Sequence, residues 1–184
     1  RTRTLADGPW FGVLDGDRGN PFADWTKVFI PYCSGDWHAG LAPDPIAIGL
    51  GTSRFLGSRN LQHSLAALVA LVGTDHAKVL VTGNSAGGIG AFLNFHRFAD
   101  VFGAERTYLL SDAGPLYPDE HVASCGAARV KNLWRMDRSF PVLPGCPGED
   151  CPWNADDWIS LRLRTLFEEY GRGRAGARRA GSRM

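Results

Sequence analysis

Apolar residues along this chain fall into two patterns, short unbroken runs and stripes at helical spacing. "KVFIPY" (Lys27–Tyr32), "KVLVTG" (Lys78–Gly83) and "RTYLLSD" (Arg106–Asp112) are β-branched and aromatic runs of strand length. Between the first two, Leu61, Leu65, Leu68, Val69 and Val72 recur at helical spacing. Asn60 stands where an N-cap is needed, and Gly73 closes the helix. A second amphipathic helix is predicted over Gly87–Phe98. Strands alternating with helices of about a dozen residues predict a parallel sheet in an α/β fold. Residues 1–26 are rich in Gly, Asp and Pro and read as turns. Cys33–Ser58 reads as a long Gly/Pro-rich loop of the kind that carries function.

Between the Lys78 strand and the second helix stands Gly83-Asn84-Ser85-Ala86-Gly87, which fits G-x-S-x-G. In a chain with 23 glycines the bare motif is a weak signal, so its context must decide. Here a strand ends, the chain turns and a helix begins. That order puts Ser85 at the carboxyl end of a strand, where open α/β sheets gather their ligands. The helix start supplies free N–H groups and a positive dipole end, both suited to an oxyanion. Gly87, Gly88 and Gly90 are expected to let the helix pack closely against the sheet. A phosphate-binding turn is the rival reading. It lacks the P-loop lysine, and the glycines follow Ser85 instead of preceding the helix.

Composition narrows the function classes. At 184 residues the chain suits one domain with a real core. A net charge of +1 gives no global field for nucleic acid or a membrane surface, and no run approaches a membrane span. Five arginines and no acid lie in 171–184, so the remainder is net acidic. Cys33, Cys125, Cys146 and Cys151 allow three pairings and suggest an oxidising compartment. A zinc site is disfavoured, because C-x4-C and the His121/Cys125 spacing match no common module.

Three blocks in order, "NPFADWTKVFIPYCSGDWHAG", "KVLVTGNSAGGIGAFLNF" and "YLLSDAGPLYPD", resemble the pectin acetylesterase and Notum family. The resemblance implies an α/β-hydrolase-like three-layer fold with a parallel sheet. It implies a secreted or periplasmic serine hydrolase that removes an acyl group, acetyl from pectin or palmitoleate in the Notum branch. It puts Ser85 at the nucleophile position and Ala86 at an oxyanion-hole N–H. It implies no metal or organic cofactor. Family members also carry a Gly-rich oxyanion loop after an early strand, which this chain begins too late to contain. The usual acid and histidine lie far downstream of the serine, and the chain has 99 residues after Ser85. The chain therefore reads as a truncated or frameshifted member, incomplete at both ends. Residues 1–170 would form one α/β domain, and 171–184 a disordered Arg/Gly/Ala-rich tail.

Five histidines offer substitutes for the missing base. His96 lies eleven residues along the helix from Ser85, about 16 Å away and out of reach. His63 and His76 read as surface residues. Asp112 ends the strand beside the nucleophile strand and His121 follows in a loop, so the two are candidate acid and base. The alternative for Asp112 is a carboxylate that anchors the loop. Asp36, Trp37 and His38 are expected to line the substrate pocket. Trp25, Trp37 and Tyr32 could form a sugar-binding face, and Trp134, Trp153 and Trp158 a helical lid, but plain packing is the favoured reading of both groups. The expected function is a serine-dependent carboxylic-ester hydrolase acting on an acylated polysaccharide or small ester. Alternatives are an inactive fragment or carbohydrate-binding remnant, and a general lipase or thioesterase. From the residues surviving after Ser85, turnover of p-nitrophenyl acetate is expected to be no faster than that of Ser85→Ala.

Overall fold

The computed structural model describes residues 12–16, 19–114 and 133–139. Its elements run β1 (Ala42–Ile48), β2 (Gly51–Phe55), α1 (Gly57–Val72), β3 (Val79–Asn84), α2 (Ala86–Phe102) and β4 (Thr107–Asp112), with short 3-10 turns at Gly12–Leu14 and Met136–Arg138. The chain divides into two compact units, Arg1–Pro31 and Tyr32–Met184. The boundary expected at 170/171 lies outside the described residues, as do the 171–184 tail and the partners Cys125, Cys146 and Cys151. Cys33 is exposed and forms no disulfide among the described residues.

β3, α2 and β4 form one crossover unit. β3 and β4 pair in parallel, from Val79 opposite Thr107 to Asn84 opposite Asp112, and α2 packs on both strands. Parallel strands cannot be joined by a tight turn, so a helix must carry the chain back. The fold is therefore mixed α/β, and the strands predicted at Lys78 and Arg106 and the helix predicted at Gly87 stand within a few residues of their expected limits. α2 extends four residues past Phe98 to Phe102, where Gly103 at φ 94° donates its N–H to the Ala99 carbonyl.

In the first unit, Asn20 organises the turns. Its side-chain amide donates to the carbonyls of Gly12 (3.0 Å) and Asp15 (2.6 Å), and its Oδ1 accepts the Phe22 N–H. Trp25 packs edge-on against Phe22 at 5.1 Å. The run Lys27–Tyr32 is not a strand: it is irregular, with Val28, Phe29 and Tyr32 exposed. Among the described residues no strand pairs with it, and strand composition without a neighbour makes no sheet.

The stretch expected to be a loop contains an antiparallel hairpin instead. β1 and β2 pair with Ile48 opposite Gly51, so Gly49 and Leu50 form a two-residue turn. Gly49 at φ 57° is the turn residue that needs the left-handed region, as a Gly-X hairpin turn requires. Pro43 and Pro45 disguised the strand. They are tolerated because β1 pairs on one side only among the described residues, and its register shifts between Ala42 and Ile46.

α1 also begins earlier than expected, at Gly57, and Asn60 lies inside it, donating its N–H to the Leu56 carbonyl. The helix start is capped from afar. The Asp36 carboxylate accepts the Gly57 N–H at 2.8 Å across 21 residues of sequence. Local pattern could not show this, because the cap lies outside the helix's own segment. The main core joins Ala39, Ala42, Phe55, Leu93, Trp134 and Met136. Trp134 is buried and meets Trp37 edge-on at 4.8 Å, the core packing expected of it ahead of a lid. Trp153 and Trp158 lie outside the described residues.

Candidate active site

Ser85 sits between the last residue of β3 and the first of α2, at φ 53° and ψ −121°. A β-carbon in this region is strained by of order 1–3 kcal/mol, and surrounding contacts must hold it there. They come from β4. The Ser85 N–H donates to the Asp112 carbonyl at 2.9 Å, continuing the ladder past the strand end. The Ser111 hydroxyl donates to the Gly88 carbonyl at 2.9 Å. The Asn84 side-chain amide donates to Asp112 Oδ2 at 3.0 Å. Ser85 itself is exposed.

The tight turn also depends on glycine at particular positions. A β-carbon at Gly83 would collide with the Gly87 carbonyl group, and one at Gly88 would lie 2.7 Å from the Asp112 carbonyl oxygen. Gly114 approaches the same corner, where its β-carbon would stand 2.6 Å from the Ile89 nitrogen. Gly90 lies against Trp37 and His38. Gly87 is the exception. Its missing β-carbon would meet nothing within 4 Å, so the expected packing role fails at that position.

This geometry presents a serine hydroxyl at the carboxyl end of a parallel pair, directly before a helix. Ala86, half-buried, is the first helical residue, and the leading N–H groups of a helix have no intrahelical partner. A nucleophile and an oxyanion donor need such an arrangement. Asp112 is brought to the same sheet end, exposed, with its carboxylate held by Asn84. His121 lies outside the described residues. His63 is exposed on α1, His96 is buried within α2, and His76 precedes β3 with its ring against Phe102.

Asp36, Trp37 and His38 form a turn against the side of α2. Asp36 is fully buried: Oδ1 accepts from Ser34 Oγ at 2.5 Å and Oδ2 from the Gly57 N–H. It was expected to line a pocket, yet both its oxygens are engaged inside the protein. Trp37 and His38 both hold the left-handed region, at φ 54° and 57°, a cost of about 1–2 kcal/mol per residue. The His38 carbonyl accepts from the Asn94 side chain at 3.2 Å, and its ring lies 4.9 Å from the ring of Tyr32. Burial holds the His38 imidazole below its ordinary pKa, while the Asp36 charge opposes that shift. Burial likewise raises the Tyr32 phenol, whose oxygen accepts the Trp37 N–H at 2.9 Å. Sequence reasoning missed Asn84, Asn94 and Ser111. Each acts through a partner from 23 to 56 residues away, and no local spacing signals that.

A third linkage joins this turn's surroundings to α2. Arg97 reaches Asn94 Oδ1 and Ser58 Oγ at 3.2 Å each and also the Ser139 carbonyl. Burial lowers its guanidinium pKa, with Asp100 opposing. Among the described residues, no three His, Cys, Asp or Glu side chains converge as metal ligands would, and no helix is long and apolar enough to cross a membrane.

The profile of the pectinacetylesterase family matches residues 12–138. The chain belongs to that family. Among similar proteins, palmitoleoyl-protein carboxylesterase notum1' of Xenopus laevis is 40% identical over 150 residues, covering 77% of this chain and 28% of its own. Palmitoleoyl-protein carboxylesterase NOTUM of Drosophila melanogaster is 33% identical over 139 residues, covering 65% of this chain and 21% of its own. Pectin acetylesterase 4 of Arabidopsis thaliana is 32% identical over 111 residues, covering 58% and 26%. The chain thus spans roughly a quarter of the length of these relatives. No solved structure matches it. The pectinacetylesterase match encloses both the Ser85 turn and the Asp36–His38 turn.

Proposed function

We propose that this pectinacetylesterase-family chain carries the nucleophile site of a serine-dependent carboxylic-ester hydrolase. The observation that carries the reading is Ser85 at φ 53° and ψ −121° between a parallel strand and a helix, the strained elbow that exposes a serine oxygen. In the proposed reaction Ser85 Oγ attacks the ester carbonyl carbon while a histidine takes its proton. The carbonyl oxygen becomes an oxyanion received by the Ala86 N–H, and the alcohol leaves with the proton returned. Water then releases the acid from the acyl-serine by the same path. Asp112 and His121 are the proposed acid and base, with Asp112 held by Asn84 at the Ser85 end of the sheet. The substrate class is an acyl ester, acetylated polysaccharide or a fatty-acylated protein, in line with the names of the relatives. A secreted or periplasmic setting belongs to the same proposal.

A second reading, a catalytically silent chain, is favoured by the histidine positions: His63, His76 and His96 all lie away from the Ser85 turn along α1, before β3 and down α2. Hydrolysis of p-nitrophenyl acetate by the wild type, Ser85→Ala and His121→Ala separates the two. The nucleophile reading expects a wild-type rate that falls to background in Ser85→Ala, by about 10³-fold or more in a competent triad. Equal rates for wild type and Ser85→Ala would establish the silent reading.

A further inference from the structure

We propose that Asp36 is a positioning residue for the ester site, holding the Trp37–His38 turn against the flank of α2. The proposal rests on the nucleophile reading for its functional meaning, but its geometry stands apart from it. Asp36 is a fully buried acid whose two oxygens meet Ser34 Oγ and the Gly57 N–H at the start of α1. The helix N-terminus favours a negative charge there. Gly40 and Gly57 leave room for that carboxylate, since a β-carbon at either would collide with it. The chain then passes directly into Trp37 and His38, two consecutive non-glycine residues with positive φ.

From the other side α2 receives the turn. Gly90 admits the Trp37 carbonyl and the His38 ring, each 2.9 Å from where its β-carbon would be. Asn94 binds the His38 carbonyl. Trp37 and Ile89 both pack on the core cluster. Gly90 is five residues past Ser85, about one and a half helical turns. A strained turn gripped from both sides, beside the helix that starts at the serine, fixes one wall of the space in which an ester must lie. The titratable groups facing the His38 ring are Asp36 and Tyr32; α2 contributes Gly90 and Asn94.

The test reads the His38 ring by NMR titration in the whole chain, alongside p-nitrophenyl acetate kinetics. In Asp36→Asn the amide can still accept from Gly57 and donate to Ser34, so the turn is held but the charge is gone. The His38 midpoint should fall further below the ordinary imidazole value. In Asp36→Ala the grip is lost, the ring enters water and the midpoint should rise toward that value. These shifts have opposite signs, which a merely electrostatic role would not produce. Should Asp36→Ala fail to fold, Gly57→Ala serves: its β-carbon would collide with Asp36 Oδ1 and stand 2.7 Å from His38 Cα, displacing the turn. It too should raise the midpoint. Kinetically, the released variants should lose about tenfold in kcat/KM, mainly through KM, and Asp36→Asn should retain most of it. A midpoint that falls, or stays fixed, in both Asp36→Ala and Gly57→Ala would overturn the proposal. Equal activity in wild type and Ser85→Ala would instead overturn the nucleophile reading, and the titration would still decide on Asp36.

Discussion

The Ser85 turn and the Asp36–His38 turn both hold non-glycine residues at positive φ against α2, yet they are specified in different ways. The first is written almost wholly between Val79 and Asp112, as strand, turn, helix and strand in sequence order. Its ties run mainly between adjacent strands, in the register Gly83 with Ser111 and Asn84 with Asp112. The second depends on a carboxylate reaching 21 residues to Gly57 and on an amide 56 residues from His38. A local code makes an element recognisable. A distributed one makes a place recognisable only once the chain has folded.

The sharpest way to break the comparison lies inside the motif. Gly83 and Gly87 carry equal weight in G-x-S-x-G, but only Gly83 is closed in by the helix start. Gly83→Ala should destabilise the protein by about 3 kcal/mol, since backbone atoms cannot move aside as a side chain could. Gly87→Ala should be neutral or stabilising by up to about 1 kcal/mol through helix propensity. Urea unfolding of both variants measures the difference. Equal losses would mean that the motif, not the packing, sets the requirement.

A smaller effect probes the Asp36–His38 turn. Burial lowers the folded-state pKa of His38 from the ordinary imidazole value of about 6.5. Below that value the unfolded chain takes up a proton that the folded chain still refuses. The His38 contribution is thus fully present above the unfolded pKa and is lost as pH falls toward the folded one. Wild type should therefore lose more stability than His38→Gln between about pH 8 and about pH 5. Identical urea-midpoint changes in the two proteins would place the ring in water. The smallest effect belongs at the hairpin tip, where Leu50 is fully exposed. Leu50→Asn should change stability by less than about 0.5 kcal/mol, read by the same unfolding assay.

The Lys27–Tyr32 run and the β1–β2 hairpin show where pattern reading fails. The run has the residues of a strand but no paired neighbour among the described residues, and it stays exposed. The hairpin has two prolines and no clean alternation, yet it forms because Gly49 turns the chain and Phe55 reaches the core. Strand propensity is a statement about fit to a surface, and the surface is supplied by other segments.

By itself the sequence determined the alternation of strand and helix, the parallel crossover from β3 to β4, and the position of Ser85 at its turn. These follow from hydrophobic period and glycine placement, which act over a few residues. Only the tertiary structure decided that Asp36 caps α1, that Trp134 joins the core, that Gly83 is closed in where Gly87 is open, and that His38 is drawn against α2. Each depends on which surfaces meet after the chain has crossed tens of residues. Buried polar groups must find partners wherever the fold brings them, and that demand has no period along the chain.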